Sequence, residues 1–346
     1  MSVTHLLGEP PRAVAVVRAL PGLGDLLCAV PALRALRAAL PHAQITLVGL
    51  PSARGFVERF GHYIDELLVC PGFPGLVSPP HVELLPAFLA EAQARRFDLA
   101  LQLHGSGVTS NPFTVLLGAR HCAGCFLPGQ YCPDPARFLP LPEDDHEIRR
   151  ALAVLEHLGV PLQGEQLEFP LGPGDRASLA ALPEAGALAP GTYVCVHPGA
   201  STPLRRWSPA GFAAAADALA QRGLAVVLTG GAAEAELTGA VARAMRSRAI
   251  DLASRTDLGT LAALLGGSRL LLSNDTGVAH LGVALRTPSV TVFAGESADP
   301  AHMTRWAPLD TARHRAVPAP TGTDALPAVL EAVDSVIGRE RAAAAD

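Results

Sequence analysis

Short runs of Val, Ile, Leu and Ala alternate along the chain with longer stretches whose apolar residues recur at helical spacing. Strands are predicted at residues 13–18, 44–48, 66–69 and 98–103, with helices at 26–40 and 81–96, the first ending at Pro41. A second set of strands is predicted at 193–197, 224–229, 249–252, 269–273 and 289–293, with helices at 209–222, 233–246, 258–265 and 277–285. A last helical stretch runs over 325–340. Runs this uniformly apolar suit parallel strands covered on both faces. The segment 159–191 is crowded with Pro and Gly and lacks a periodic run, so the domain boundary is expected there. The fold class is therefore α/β, with two Rossmann-like doubly wound domains, at 1–175 and 190–322, facing across a cleft, and a C-terminal helix at 323–346. In such folds ligands bind beyond the carboxyl ends of the strands, which directs attention to the loops that follow them.

Composition narrows the chemistry. With 346 residues, 49% hydrophobic and 17% charged, the chain can bury two cores. The 33 Gly and 31 Pro follow no period and fit many tight turns. All 27 basic residues are arginine, which excludes a Schiff-base lysine and the P-loop lysine. A net charge of −5 without a basic block argues against an extended nucleic-acid partner. Residues 1–12 carry no basic region leading into an apolar one, so no signal peptide and a cytoplasmic location are expected. The uncharged stretch 99–119 contains His104, Gly105, Ser106, Gly107, Ser110, Asn111 and Pro112, and reads as strand, loop and short helix rather than a membrane span. The six cysteines are expected as free thiols. Cys122, Cys125 and Cys132 beside His121 could ligate zinc, but the second C-x-x-C pair of a structural site is missing, and no metal is expected.

Three loops could carry chemistry. After the first strand comes Ala19-Leu20-Pro21-Gly22-Leu23-Gly24-Asp25, a turn in which Gly22 and Gly24 let backbone N–H groups approach a ligand. It is not the dinucleotide fingerprint, because the third glycine falls at Leu27. Asp25 is either a helix N-cap or a catalytic or ligand-binding carboxylate. The second loop runs from His197 through Ser201, Thr202, Arg205 and Arg206 to Ser208-Pro209, supplying hydroxyls and guanidinium groups for a diphosphate, or only solvated arginines before a helix. The third, Ser273-Asn274-Asp275-Thr276-Gly277-Val278-Ala279-His280, offers an acid and a helix start, with Asp275 readable as a cap and His280 as a core residue. The loops at 49–54 and His104-Gly105-Ser106-Gly107 suit a carbohydrate acceptor or a plain surface. Arg12, Arg18, Arg34, Arg37, Arg54, Arg59, Arg95, Arg96 and Arg120 are available for an anionic one.

As an ordered set these motifs resemble glycosyltransferase family 9, the ADP-heptose:lipopolysaccharide heptosyltransferases of the GT-B fold. The resemblance is carried by Gly24-Asp25 with Val30-Pro31-Ala32-Leu33-Arg34-Ala35-Leu36 and by Gly199-Ala200-Ser201 through Arg206-Trp207. Thr229-Gly230-Gly231 with Glu234, Asp275-Thr276-Gly277 with His280, and residues 287–293 followed by Asp299-Pro300 complete it.

The resemblance implies inverting transfer of a heptose from ADP-heptose to a sugar hydroxyl of a lipopolysaccharide core or related glycan. Asp25 matches the base. Thr202, Arg205, Thr276 and Gly277 match the diphosphate side, with Ser201 beside them in the donor-binding set, Asp275 matches the sugar-contacting acid, and Glu234, in a register shared with Glu236, the nucleoside-contacting acid. His280 joins the donor-binding set, and Gly22, Gly24 and His104 the acceptor or loop set. Arg205 stands where the family pattern has lysine, replacing a point charge by a planar fork. No cofactor beyond the nucleotide-sugar is implied, and no D-x-D pair for a metal is present, although Asp144-Asp145 occurs in a polar turn. The resemblance also implies a C-terminal helix crossing back to the first domain, and leaves room for peripheral contact with the inner face of the cytoplasmic membrane through the acceptor. A GT-B enzyme for another nucleotide-sugar, a nucleotide-sugar epimerase, and a non-catalytic nucleotide-sugar-binding protein are the alternatives.

Overall fold

Val14, Ala15, Val16 and Val17 have no solvent exposure, as expected of a strand sandwiched between helices. They form β1 (Ala13–Val17) in a computed structural model that describes residues 8–76, 79–186 and 188–343, with side chains through 338. Contacts divide the chain into two units, Met1–Gln166 and Leu167–Asp346.

In the first unit β1 is followed by α1 (Leu23–Ala39), β2 (Gln44–Gly49), α2 (Arg54–Arg59), β3 (Glu66–Val69) and α3 (Leu85–Ala94). Then come β4 (Leu99–Gln102), α4 (Ser110–Leu116), β5 (His121–Phe126), β6 (Phe138–Pro140) and α5 (Glu147–His157). The six strands are parallel in the order β3-β2-β1-β4-β5-β6. The order reverses between β1 and β4, where Val14 pairs with Leu99 and Val17 with Gln102. This is the switch point at which a doubly wound sheet opens a crevice.

The second unit repeats the plan. It contains α6 (Pro173–Ala180), β7 (Tyr193–His197), α7 (Pro209–Ala220), β8 (Ala225–Leu228), α8 (Ala235–Ala244), β9 (Ala249–Asp251) and α9 (Leu258–Gly267). It continues through β10 (Leu270–Asn274), α10 (Gly277–Ala284), β11 (Ser289–Ala294), α11 (Pro300–Trp306), β12 (His314–Ala319) and α12 (Leu326–Ala343). The parallel order is β12-β11-β10-β7-β8-β9, and His197 pairs with Ser273 at its switch point. The C-terminal helix packs Val329, Val333, Val336 and Ile337 into the core of the second unit with Val290 and Val292.

Three of the elements that hydrophobic patterning missed have physical reasons for being quiet. The strands β6 and β12 lie at sheet edges and carry Pro140 and Pro318, which an edge tolerates because one side of its backbone has no partner strand. α6 lies inside the segment read as irregular and buries no side chain, so it shows no apolar period. Its start rests on Pro173 and on Asp175, whose carboxylate accepts the Gly172 N–H at 2.8 Å.

Candidate active site

Arg18 follows directly on β1 and is only 2% exposed. Its Nε donates to the Asp25 carbonyl at 2.6 Å, its Nη1 to the Leu103 carbonyl at 2.5 Å, and its Nη2 to Glu147 Oε1 at 3.1 Å. One guanidinium therefore joins the loops after β1 and β4 to the start of α5. His104 adds a second tie: its Nδ1 accepts the Ala19 N–H at 3.1 Å, and its carbonyl accepts from Gln102 Nε2 and Ser110 Oγ. Burial, reinforced by the Arg18 cation, pushes the His104 imidazole down to about 4, so it is neutral near pH 7. His104 thus belongs to the framework of the loop.

Asp25 is not the helix cap that local sequence allowed. Gly22 occupies that position, and Asp25 stands in the first turn of α1, which begins three residues earlier than the predicted 26–40. The Asp25 carboxylate folds over Gly22, where a Cβ would come within 2.3 Å of Oδ2. Gly22 is thus required for proximity, its φ of −80° being open to any residue. Gly24 is buried in the same turn.

Arg18 and Glu147, with Gln102 of β4, Cys125 of β5 and Arg150 of α5, line a small pocket. Cys122 lies against the apolar cluster of Phe88 and Phe113, away from that pocket. Three residues apart on one strand, Cys122 and Cys125 point to opposite faces. Among the described residues no group of three or more His, Cys, Asp or Glu is placed to hold a metal. Two of the arginines considered for an anionic acceptor are engaged elsewhere, Arg37 with Asp65 at 2.6 Å and Arg95 with Glu66 at 2.6 Å.

In the second unit, Asn274 at the end of β10 has no exposure and fastens the two central loops together. Its Oδ1 accepts the Trp207 N–H at 2.9 Å and its Nδ2 donates to the Pro198 carbonyl at 2.7 Å. Thr202 caps a single 3₁₀ turn, Pro203–Arg205, by accepting the Leu204 N–H, and Ser201 beside it is exposed. Arg206 turns back onto the Ala200 carbonyl through Nε and Nη2 at 3.3 and 2.9 Å. Arg205 instead points toward Asp275, with Nη1 4.0 Å from Oδ2, and its Nε is buried without a hydrogen-bond partner.

Asp275 is 7% exposed and its Oδ2 accepts from His302 Nε2 at 2.7 Å. Asp275 does not occupy the cap position of α10; Thr276 does, in an extended conformation and without a side-chain hydrogen bond to the helix, and Gly277 opens the helix. His280, one turn along, lies with its ring edge-on to Trp306, the ring centroids 5.8 Å apart. The structure thus places it in the packing of α10 against α11, whereas Asp275, Thr276 and Arg205 gather at the switch point.

Glu234 and Glu236 separate cleanly. Glu236 is exposed on α8, while Glu234 accepts the Gly231 N–H at 2.8 Å and lies 3.8 Å from His197 Nε2. Its carboxylate covers Gly199 so closely that a Cβ there would come within 1.8 Å of Oε1. Burial lowers the His197 pKa against the opposing pull of Glu234. Another close approach holds the loop from beyond β11: Gly295, at φ +56°, sits where a Cβ would lie 2.1 Å from the Leu204 carbonyl oxygen.

Three residues of this site escaped the sequence reading of the loops. Arg18 had a signal, a lone charge closing an apolar strand. Asn274 lay within a quoted loop without a role. His302 had none, because its partner Asp275 is 27 positions away and only the fold joins them.

Two doubly wound units with polar loops at both switch points are the arrangement of the GT-B class. The chain belongs to glycosyltransferase family 9 (heptosyltransferase), whose model matches residues 87–319, more than half of the chain. Lipopolysaccharide heptosyltransferase 3 of Escherichia coli is 32% identical over 104 residues, 29% of this chain and 31% of that relative. The chain thus spans about a third of that relative's length in the match. A glycosyl transferase family 9 structure from Veillonella parvula superposes with a TM-score of 0.77 at 21% identity, covering 95% of this chain and 97% of the other. E. coli heptosyltransferase WaaC, solved with ADP, gives a TM-score of 0.68 at 21% identity, covering 94% and 99%. The same enzyme has been solved with ADP-2-deoxy-2-fluoro heptose.

Proposed function

We propose that this chain is an inverting, metal-independent glycosyltransferase that moves a heptose from ADP-heptose to a sugar hydroxyl of a lipopolysaccharide core or related glycan. The observation that carries the reading is the gathering of Arg205, Asp275 and Thr276 at the switch point of the second unit, in a chain of family 9. The relatives that bind ADP and an ADP-heptose analogue support the choice of donor.

In this reading Arg205, the hydroxyls of Ser201 and Thr202, and the backbone at Thr276 and Gly277 hold the diphosphate. The helix start at Gly277 adds partial positive charge. Asp275 contacts the sugar and Glu234 the nucleoside. Asp25 accepts the acceptor hydroxyl proton as that oxygen bonds to the anomeric carbon from the face opposite the departing ADP, so the configuration inverts. An aspartate in the first turn of a helix is a weak base, since the helix start favours its ionised form. Much of the rate enhancement therefore falls to stabilising the leaving diphosphate, with the proton transferred late. Gly22 and Gly24 shape the loop that presents Asp25, and His280 supports the donor loop from behind through Trp306. No helix among the described residues is long and apolar enough to cross a membrane, and contact with the membrane surface through a lipid-linked acceptor is part of the proposal.

Calorimetric titration with ADP, UDP and GDP, followed by turnover of ADP-heptose with a lipopolysaccharide core acceptor in EDTA, tests the reading. Preference for ADP, ADP release dependent on acceptor, and an inverted anomer by NMR are expected. Selective binding of UDP or GDP would replace the donor, and interconversion of sugar epimers without an acceptor would replace the reaction class.

A further inference from the structure

Asp275 Oδ2 faces two donors at different distances, His302 Nε2 at 2.7 Å and Arg205 Nη1 at 4.0 Å. A carboxylate only accepts, so the short contact requires the His302 proton on Nε2. The Arg205 contact is too long for a hydrogen bond, and its buried Nε has no acceptor. A buried donor without a partner is uncommon and is accounted for when a ligand supplies the acceptor.

His302 is itself held on several sides. Asp299 Oδ1 accepts the N–H groups of Ala301 and His302 at 3.0 and 3.1 Å, fixing the start of α11. The imidazole lies between Phe293 and Trp306, with ring centroids at 6.2 and 6.4 Å. The ring therefore has a fixed place from which to hold the Asp275 carboxylate.

We infer that His302 is a positioning residue of the donor site, holding Asp275 off Arg205 so that the guanidinium stays free for the diphosphate of the nucleotide-sugar. Without His302, the carboxylate and the guanidinium close the remaining distance and form the paired fork that Arg and Asp favour. Arg205 is then neutralised by its own neighbour, and a nucleoside diphosphate meets an occupied cation. The inference rests on the proposed role of Arg205, and the test separates the two.

ADP binding to the full chain is measured by calorimetry for H302A, H302Q, D275N, H302A/D275N and R205A. H302A should weaken ADP binding about tenfold, equivalent to 1.4 kcal/mol. H302Q, whose Nε2 can donate from nearly the same place, should stay within about threefold of wild type. Adding D275N to H302A should restore binding to within about threefold of D275N alone, because an amide carries no charge with which to capture Arg205. A loss in H302A that D275N does not relieve would show that the ring acts only through packing on Phe293 and Trp306, and would overturn the inference. Unchanged binding in H302A with a clear loss in R205A would overturn the inference alone. Unchanged binding in R205A would overturn the diphosphate role of Arg205 and the inference with it.

Discussion

Arg18 and Glu147, separated by 129 positions, form an ion pair whose side chains are 2% and 5% exposed. Truncating one partner of such a pair leaves the other charge buried and uncompensated, which costs about 3–5 kcal/mol. Glu147→Ala is expected to lose that much in urea unfolding followed by far-UV circular dichroism. Replacing both, as Arg18→Met with Glu147→Leu, should recover much of the stability while turnover stays low, because the Arg18 bond to the Asp25 carbonyl is gone. Full turnover in the double variant would show that this bond does not position the base.

Asp25→Asn should lower transfer by roughly 10²–10⁴-fold, the contribution of a general base, with ADP affinity nearly unchanged. Gly22→Ala provides a second route to the same defect. The added methyl collides with the Asp25 carboxylate, which can swing away, so stability should change by less than about 1 kcal/mol while turnover falls. The two changes together should be no worse than Asp25→Asn alone. An active Gly22→Ala enzyme would show that the carboxylate need not rest where it does.

Arg205→Ala should weaken ADP binding by about 1.5–3 kcal/mol, the range for a hydrogen bond to a charged group. Arg206→Ala should cost less, because its guanidinium is already engaged with the Ala200 carbonyl. Equal and negligible losses in calorimetry would return both residues to the status of solvated arginines.

Stability should fall on acidification. His104 and His314 are pushed down to about 4 by burial, the Arg18 and Arg313 cations respectively reinforcing it, so both are neutral in the folded chain. An unfolded histidine titrates near ~6.5, so between that pH and about 4 the unfolded state takes up protons that the fold refuses. Each should remove on the order of 3 kcal/mol across that window and nothing above it. His104→Asn keeps an acceptor for the Ala19 N–H and removes one titration, so its stability measured from pH 7.5 to pH 4.5 should fall less steeply. An unchanged slope would assign the acid sensitivity to other groups.

The strand–helix alternation was legible because parallel strands are apolar on both faces, and Gln44–Gly49, Tyr193–His197 and Leu270–Asn274 lie where their runs predict. The loops carrying Asp25, Arg205 and Asp275 were legible because polar residues after an apolar strand stand out. Their connections were not. Nothing local links Arg18 to Glu147 or Asp275 to His302, since these pairs exist only once distant segments are brought side by side. The same holds for His280: its place one turn beyond Thr276 could be read locally, whereas the edge-on contact with Trp306 of α11 exists only in the fold. Asp25 looked like a cap because the helix start was read too late, and a glycine at the cap gives no side-chain signal.

The contact between Gly295 and the Leu204 carbonyl bears on how this protein can be re-engineered. At φ +56°, with backbone where a Cβ would go, position 295 tolerates no side chain unless the 203–205 turn moves. The segments 201–206 and 295–299 are therefore a single module for recombination. A segment 201–206 transplanted from a relative will seat only if its backbone passes over residue 295 along the same path, so chimaeras intended to change the nucleotide should exchange both segments together.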